Sequence, residues 1–239
     1  MTRLVVLHGF TQTRQSWRRT AAALGGRYRA IAPDLPGHGS AAQRRPASFS
    51  ACVAYVRALG GDEFTLAGYS MGGRIALAAA LALPSQVRRL VLVGASPGIA
   101  DPAERAARRR VDDELADRIE SIGVEAFARE WGAQALFAGQ DERVAAAAHA
   151  DRLRNDPSGL AAALRGLGTG AMAPLWERLG ELAIPVVLVV GERDVKFGAI
   201  ADQMAERIPD CRVVVVAGAG HAAQLERPEE VAAVIRDTP

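Results

Sequence analysis

The chain has 239 residues, 49% of them hydrophobic, which suits one large domain with a buried core or one domain carrying a long insertion. A net charge of +2 gives no argument for a nucleic-acid partner, and no apolar run is long enough to span a bilayer. Two cysteines, Cys52 and Cys211, lie far apart without metal-ligand spacing, as expected of reduced structural thiols in a cytoplasmic protein.

Met1-Thr2-Arg3 leads straight into Leu4–Leu7, so no signal peptide is expected and the first strand reads as buried and parallel. It runs into His8-Gly9-Phe10. A helix-prone segment around 16–24 follows, then a strand over 28–32. The stretch from Asp34 to Ser40 is rich in turn residues, and His38 within it reads as structural. A helix over 49–59 leads to a short β-prone segment at 64–66, and residues 75–83 are strong helix formers. Residues 89–93 supply the next strand.

From Gly98 to about Leu182 the strand signals vanish. This stretch reads as several short helices broken at Gly123, Gly139 and Asn155-Asp156-Pro157. Strands resume at 185–190 and 212–216, and a last helix covers 228–235. The pattern predicts an α/β class with a mostly parallel central sheet, helices on both faces and an inserted helical cap. The expected boundaries are a core over 1–97 and 183–239 and a cap over 98–182.

The segment Gly68-Tyr69-Ser70-Met71-Gly72 matches G-x-S-x-G in the strand–turn–helix context that motif requires. Such a turn projects the serine from the end of a strand, with a helix start behind it. Two later loops complete a triad. Asp194 ends Gly191-Glu192-Arg193-Asp194 after one late strand, and His221 ends Gly218-Ala219-Gly220-His221 after the next. His221 would accept the serine proton while Asp194 orients the imidazole. Glu192 competes with Asp194; His8, His38 and His149 have poorer contexts than His221. The elbow and the order Ser70, Asp194, His221 resemble the α/β-hydrolases. In that fold an H-G dipeptide after the first strand opens the loop supplying an oxyanion amide, which implies the backbone amides of Phe10 and Met71 for that role.

A narrower resemblance covers nearly the whole chain. Gly68-Tyr69-Ser70-Met71-Gly72-Gly73-Arg74 is similar to the elbow of the 2-succinyl-6-hydroxy-2,4-cyclohexadiene-1-carboxylate synthases of menaquinone biosynthesis. So are Glu104-Arg105-Ala106-Ala107-Arg108 with Asp112 and Leu115-Ala116, and Phe127, Trp131 and Leu136-Phe137. Leu164 to Gly170 and Gly191 to Phe197 resemble that family too. One departure is Gln224, where members often carry histidine. The resemblance implies a lyase that eliminates pyruvate from a small tricarboxylate, with Ser70 as activated base. It implies no metal or organic cofactor, no nucleic-acid or membrane partner, and a monomer or weakly associating homo-oligomer. The alternative is a serine hydrolase of esters or thioesters working through an acyl-enzyme.

Because 28 basic residues are arginine and Lys196 is the only lysine, position rather than number must argue for an anionic ligand. Arg74 lies in the first turn of the helix after Ser70, where the macrodipole disfavours a cation. A bound anion would explain it; a solvent-facing side chain is the rival. At about 100° per residue, Val111, Leu115, Ile119 and Ile122 form a stripe with Arg108 near its centre. Arg108 then faces either an enclosed anion or a carboxylate of the protein. Arg165 projects away from the stripe of Leu160, Leu164 and Leu167, and is a substrate-binding candidate through the resemblance. Trp131 is in phase with Val124 and Phe127, so it serves the core or the ligand. Tyr69 borders the pocket or packs beneath the elbow.

Overall fold

The computed structural model describes residues 1–237. Six strands form one sheet: β1 (Thr2–Leu7), β2 (Tyr28–Ile31), β3 (Phe64–Tyr69), β4 (Val87–Val93), β5 (Val186–Gly191) and β6 (Cys211–Val216). Their order is β2-β1-β3-β4-β5-β6 and every pairing is parallel. The apolar runs of β3 and β5 are buried along their whole length, because a parallel sheet is covered on both faces.

Thr13 caps a 3₁₀ turn over Arg14–Trp17 before helix α1 (Arg18–Ala23), so the helix expected around 16–24 is split at the fully buried Trp17. Ser48 caps α2 (Phe49–Gly60). Helix α3 (Met71–Ala82) starts immediately after Ser70, taking the glycines into its first turn. Between β4 and β5 come α4 (Pro102–Gly132), α5 (Glu142–Arg152) and α6 (Pro157–Leu167). Gly123, at φ 76° and ψ 171°, interrupts α4 where a break was expected. Helices α7 (Val195–Ala205), α8 (Ala223–Glu226) and α9 (Pro228–Asp237) complete the fold.

One sheet face packs Leu7, Leu66 and Leu90 with Ile75 and Leu77 of α3. The other packs Leu4, Val6 and Val91 with Trp17 and with Val231 and Ile235 of α9. A third cluster, including Ile119, Phe127, Leu160 and Leu164, belongs to the inserted helices. Helix α6 also meets the first part of the chain backbone to backbone. A Cβ on Gly166 would stand 1.7 Å from the Ala47 carbonyl oxygen, and one on Gly159 2.6 Å from that of Gly37.

The chain leaves the strand pair β1–β3 in opposite directions across the sheet, and ligands of such sheets bind at that crevice, beyond the carboxyl ends of the strands. Leu7 pairs with Gly68, so His8-Gly9-Phe10 and Ser70 emerge side by side. The approach is close. A Cβ on Gly68 would lie 2.3 Å from the Gly72 carbonyl oxygen, and one on Gly72 2.3 Å from that of Leu7. Gly72→Ala should therefore cost on the order of 1–3 kcal/mol. At roughly 2–4 °C per kcal/mol for a chain of this size, Tm should fall by several degrees. Gly26→Ala, which meets nothing within 4 Å, is the control for calorimetry; equal melting of the two variants would refute the packing argument.

Candidate active site

Ser70 caps α3 with φ 50° and ψ −110°, a strained backbone for a residue with a side chain. His221 follows β6 and Asp194 caps α7 after β5, so all three groups gather at one edge of the sheet. The Nε2 of His221 lies 3.2 Å from Ser70 Oγ, and its Nδ1 lies 2.6 Å from Asp194 Oδ2. With Nδ1–H donating to the carboxylate, Nε2 is left to accept the serine proton. His221 and Asp194 are both buried. Phe197 and Tyr69 hold the imidazole, with ring centroids 4.4 and 5.2 Å away. Glu192 instead accepts the Gly218 amide at 2.8 Å in an exposed position, so the carboxylate bonded to His221 is that of Asp194.

Met71 begins α3, where the first amides have no intrahelical acceptor. Met71 and Phe10 both line the cavity that Ser70 and His221 enter. The Phe10 loop rests on two buried imidazoles. His8 Nε2 accepts the Leu35 amide at 2.9 Å, so Nδ1 carries the proton and donates to the Gly9 carbonyl at 2.9 Å. The His38 ring packs edge-on against His8 and Phe10, as a structural residue of that loop.

Burial lowers the pKa of His8, and burial together with the neighbouring His8 lowers that of His38 to about 3. Above pH 6.5, the ordinary value, both are neutral folded or unfolded and nothing is lost. As pH falls below that value the unfolded chain protonates first, so stability declines, for His38 down to a pH of about 3. Each such histidine contributes a slope of up to about 1.4 kcal/mol per pH unit. Unfolding free energies in urea should fall between pH 7 and pH 5. His38→Asn, which keeps a donor toward the Pro36 carbonyl, should flatten that slope; an unchanged slope would clear His38 of the effect.

The cavity has a volume of about 320 Å³ and carries Arg74, Arg108 and Lys196 around the triad, with Trp131, Leu164 and Leu167 among its apolar lining. Arg74 is 8% exposed and its Nη1 has no hydrogen-bond partner among the described residues. Burial, then the charge of Arg108, lowers its pKa to about 10, still charged at neutral pH. A desolvated cation beside a second cation is stabilised by a bound anion. Arg108 has a carboxylate of the protein for a partner and still reaches the cavity. Its Nε donates to Asp112 at 2.7 Å, and the side chain also lines the cavity. Asp112 is itself buried and accepts the Gly170 amide at 3.0 Å.

Several expectations change in the fold. Val111 is 55% exposed, so the inward face of α4 runs through Asp112, Ala116 and Ile119, and Arg108 stands at its start. Arg165 lies outside the cavity lining. Leu160, Leu164 and Leu167 turn inward, leaving its Nη2 to bond Asp117 at 2.6 Å and Glu120 at 2.7 Å on α4. Tyr69 is buried beneath the elbow, and burial raises its pKa. Trp131 both lines the cavity and packs on Phe10 and Phe127. Gln224 is fully buried; its Nε2 reaches Gln12 at 3.4 Å and its Oε1 has no partner among the described residues.

Two cations escaped the sequence reading. Lys196 lines the cavity with no ion pair among the described residues, and its being the only lysine was the available signal. Arg152, at the end of α5, is 4% exposed, stacks over Phe137 at 5.1 Å and leaves Nε without a partner among the described residues. Burial lowers its pKa, and Tyr69 lies within its electrostatic reach. A Cβ on Gly132, next to Trp131, would touch its Nη1 at 3.1 Å.

A serine elbow, an imidazole and a buried carboxylate on a parallel sheet define a class. Residues 4–234 match the Alpha/beta hydrolase family, and the chain belongs to it. Within that class it belongs to the 2-succinyl-6-hydroxy-2,4-cyclohexadiene-1-carboxylate synthase family. The synthase of that name from Salmonella newport (strain SL254) is 34% identical, with 95% of this chain and 90% of the relative covered. The structure of MenH from S. aureus matches at a TM-score of 0.91 and 32% identity, over 98% of this chain and 91% of that one. A thermophilic esterase from Thermogutta terrifontis, solved with malate bound, matches at a TM-score of 0.83 and 28% identity, over 99% of this chain and 89% of that one.

Proposed function

We propose that this protein eliminates pyruvate from 2-succinyl-5-enolpyruvyl-6-hydroxy-3-cyclohexene-1-carboxylate, giving 2-succinyl-6-hydroxy-2,4-cyclohexadiene-1-carboxylate. The observation that carries the reading is the buried Arg74, its Nη1 without a hydrogen-bond partner among the described residues, lining the cavity that also holds Ser70, His221, Arg108 and Lys196. Guanidinium forks pair carboxylates bidentately, which suits a substrate with three of them. Arg152 lies outside the cavity lining as Arg165 does, and it joins this set in place of Arg165 because it is buried with its Nε unpartnered among the described residues. Residues 98–182 form the cap that carries Arg108 and Arg152. The enzyme is assigned to the cytoplasm and needs no cofactor for this chemistry.

Ser70, its proton drawn to His221 Nε2, removes the ring proton beside the succinyl ketone. The C–H electrons form an enolate, held by the amides of Phe10 and Met71. They then move through the ring alkene to break the bond to the enolpyruvyl oxygen. The departing enolate of pyruvate takes up a proton from the imidazolium, so the proton count closes. The esterase similarity supports a second reading, in which Ser70 attacks an acyl carbon.

Pyruvate release, coupled to lactate dehydrogenase, and the absorbance of the new ring diene test the first reading. Ser70→Ala should lower kcat by about 10²–10⁴, the usual contribution of general base catalysis. Rapid-quench mass spectrometry of the wild type should show no acyl adduct on Ser70. A kinetically competent adduct would favour the hydrolase reading, and a Ser70→Ala protein keeping more than about a tenth of kcat would remove serine from the base role.

Arg74→Ala and Arg108→Ala should each reduce kcat/KM by at least about tenfold, since a charge-assisted hydrogen bond is worth about 1.5–3 kcal/mol and about 1.4 kcal/mol is one decade. Lysine at either position should restore part of the loss, keeping the charge without the fork. Arg109, half-exposed and paired with Asp113, and Arg110, exposed, are the controls on the same helix. Alanine there should change kcat/KM by less than about threefold. A loss at Arg109 equal to that at Arg108 would contradict the assignment of the inward face.

A further inference from the structure

Among the described residues only two non-glycine positions have positive φ: Ser70, at 50°, and Thr11, at 67°. The first is the elbow serine. The second follows directly on Phe10 and has no part in the chemistry above. A β-branched residue in this region crowds its own backbone, and it persists only where the surroundings hold it. Thr11 is buried. The Gln12 amide donates to the Gly9 carbonyl at 3.2 Å, closing a turn that puts Thr11 at its third residue, the position where type II turns favour glycine.

The restraint on this turn comes from the inserted helices. Asn155, just past α5, is buried; its Nδ2 donates to the Thr11 carbonyl at 2.8 Å and to the Arg152 carbonyl at 3.0 Å. Its Oδ1 accepts the Gly39 amide at 3.0 Å. Four residues earlier, Asp151 accepts the Thr13 amide at 2.9 Å and the Thr13 hydroxyl at 2.5 Å. The strained residue and Thr13 after it are thus both tied to the segment that carries Arg152.

We propose that Asn155 is a positioning residue for the oxyanion hole: by holding the carbonyl of the strained Thr11 it keeps the Gly9–Gln12 turn, and so the Phe10 amide, aimed at the centre where Ser70 acts. The same side chain grips the peptide of Arg152, so a carboxylate seated on that guanidinium and an oxyanion at Phe10 share one scaffold. The proposal rests on the lyase reading only through the oxyanion role of Phe10, which an ester reaction would use as well. Threonine supplies the strain and Asn155 the restraint; a glycine at position 11 would take the same backbone unaided.

The test compares wild type with Asn155→Ala, Thr11→Gly and the double variant, following kcat and KM for pyruvate release. Losing an oxyanion donor outright costs about 10²–10³ in kcat, so misaiming one should lower kcat in Asn155→Ala by at least about tenfold, with KM within about twofold. Thr11→Gly in the same chain should recover most of kcat, a rescue that general loosening of the protein would not produce. A kcat for Asn155→Ala within about twofold of wild type, or no recovery in the double variant, would overturn the proposal. Near-UV circular dichroism monitors folding. Should alanine unfold the chain, Asn155→Asp takes its place, since it keeps the acceptor for Gly39 and removes the donor to Thr11. If the wild type releases no pyruvate, the lyase reading fails separately, and the rate at which a fluorophosphonate labels Ser70, read by intact mass, replaces kcat. Slower labelling in Asn155→Ala, restored by Thr11→Gly, supports the proposal; equal labelling in all four proteins overturns it.

Discussion

Helix α3 begins so close to β1 that a single methyl group on Gly72 would stand 2.3 Å from the Leu7 carbonyl oxygen. That contact sets the geometry of the rest. It forces Ser70 into a backbone conformation that pushes its side chain out of the strand, and it directs the first amides of α3 toward the same point. The loop after β1 arrives beside it because Leu7 and Gly68 are paired neighbours. The loops after β5 and β6 bring Asp194 and His221 to that edge. Parallel pairing makes this convergence possible, since every strand ends on the same side.

Charge divides the arginines by what they find nearby. Arg118, Arg165 and Arg178 sit in bonded pairs with surface carboxylates, where solvent leaves little net energy in the pairing. Arg74 and Arg152 are buried, and each keeps a guanidinium nitrogen without a partner among the described residues. Burying a cation in that state is unfavourable, and the fold tolerates it in the two places that flank the serine elbow and the aromatic wall of Trp131 and Phe137. Arg108 is intermediate, tied to a buried aspartate yet open to the cavity.

The sheet, the elbow and the meeting of Ser70, Asp194 and His221 were legible because each carries a local mark: apolar runs of strand length, glycines crowded around a serine, and acidic and imidazole groups directly after strands. Though short helices were expected where α4 runs from Pro102 to Gly132, the breaks in the inserted helices were legible from Gly123, Gly139 and Asn155-Asp156-Pro157. Their inward faces were not. In α4 the exposed Val111 imitates a core position, while the buried Asp112 looks like a solvent residue. In α5 the run of alanines gives no phase, so no apolar stripe in that helix betrays the burial of Arg152. Arg165 came from resemblance to a motif, and the resemblance carried no information about which way its side chain turned. Thr11 offered no sign of positive φ, because the usual marker for that conformation is glycine or asparagine.

The backbone contacts of α6 at Gly159 and Gly166 bear on how the cavity responds to an occupant. Ala163, Leu164 and Leu167 of that helix form one wall, and the wall rests on peptide groups that no change of rotamer can move. Of the cations lining the same cavity, Arg108 is already tied to Asp112 at 2.7 Å, whereas Lys196 has no ion pair among the described residues. Ordering on binding therefore falls unequally: the apolar wall gives up almost no conformational entropy, and the Lys196 chain bears a loss of up to about 2 kcal/mol. Shape is recognised by a surface already in place, and charge by one that must be assembled around its guest.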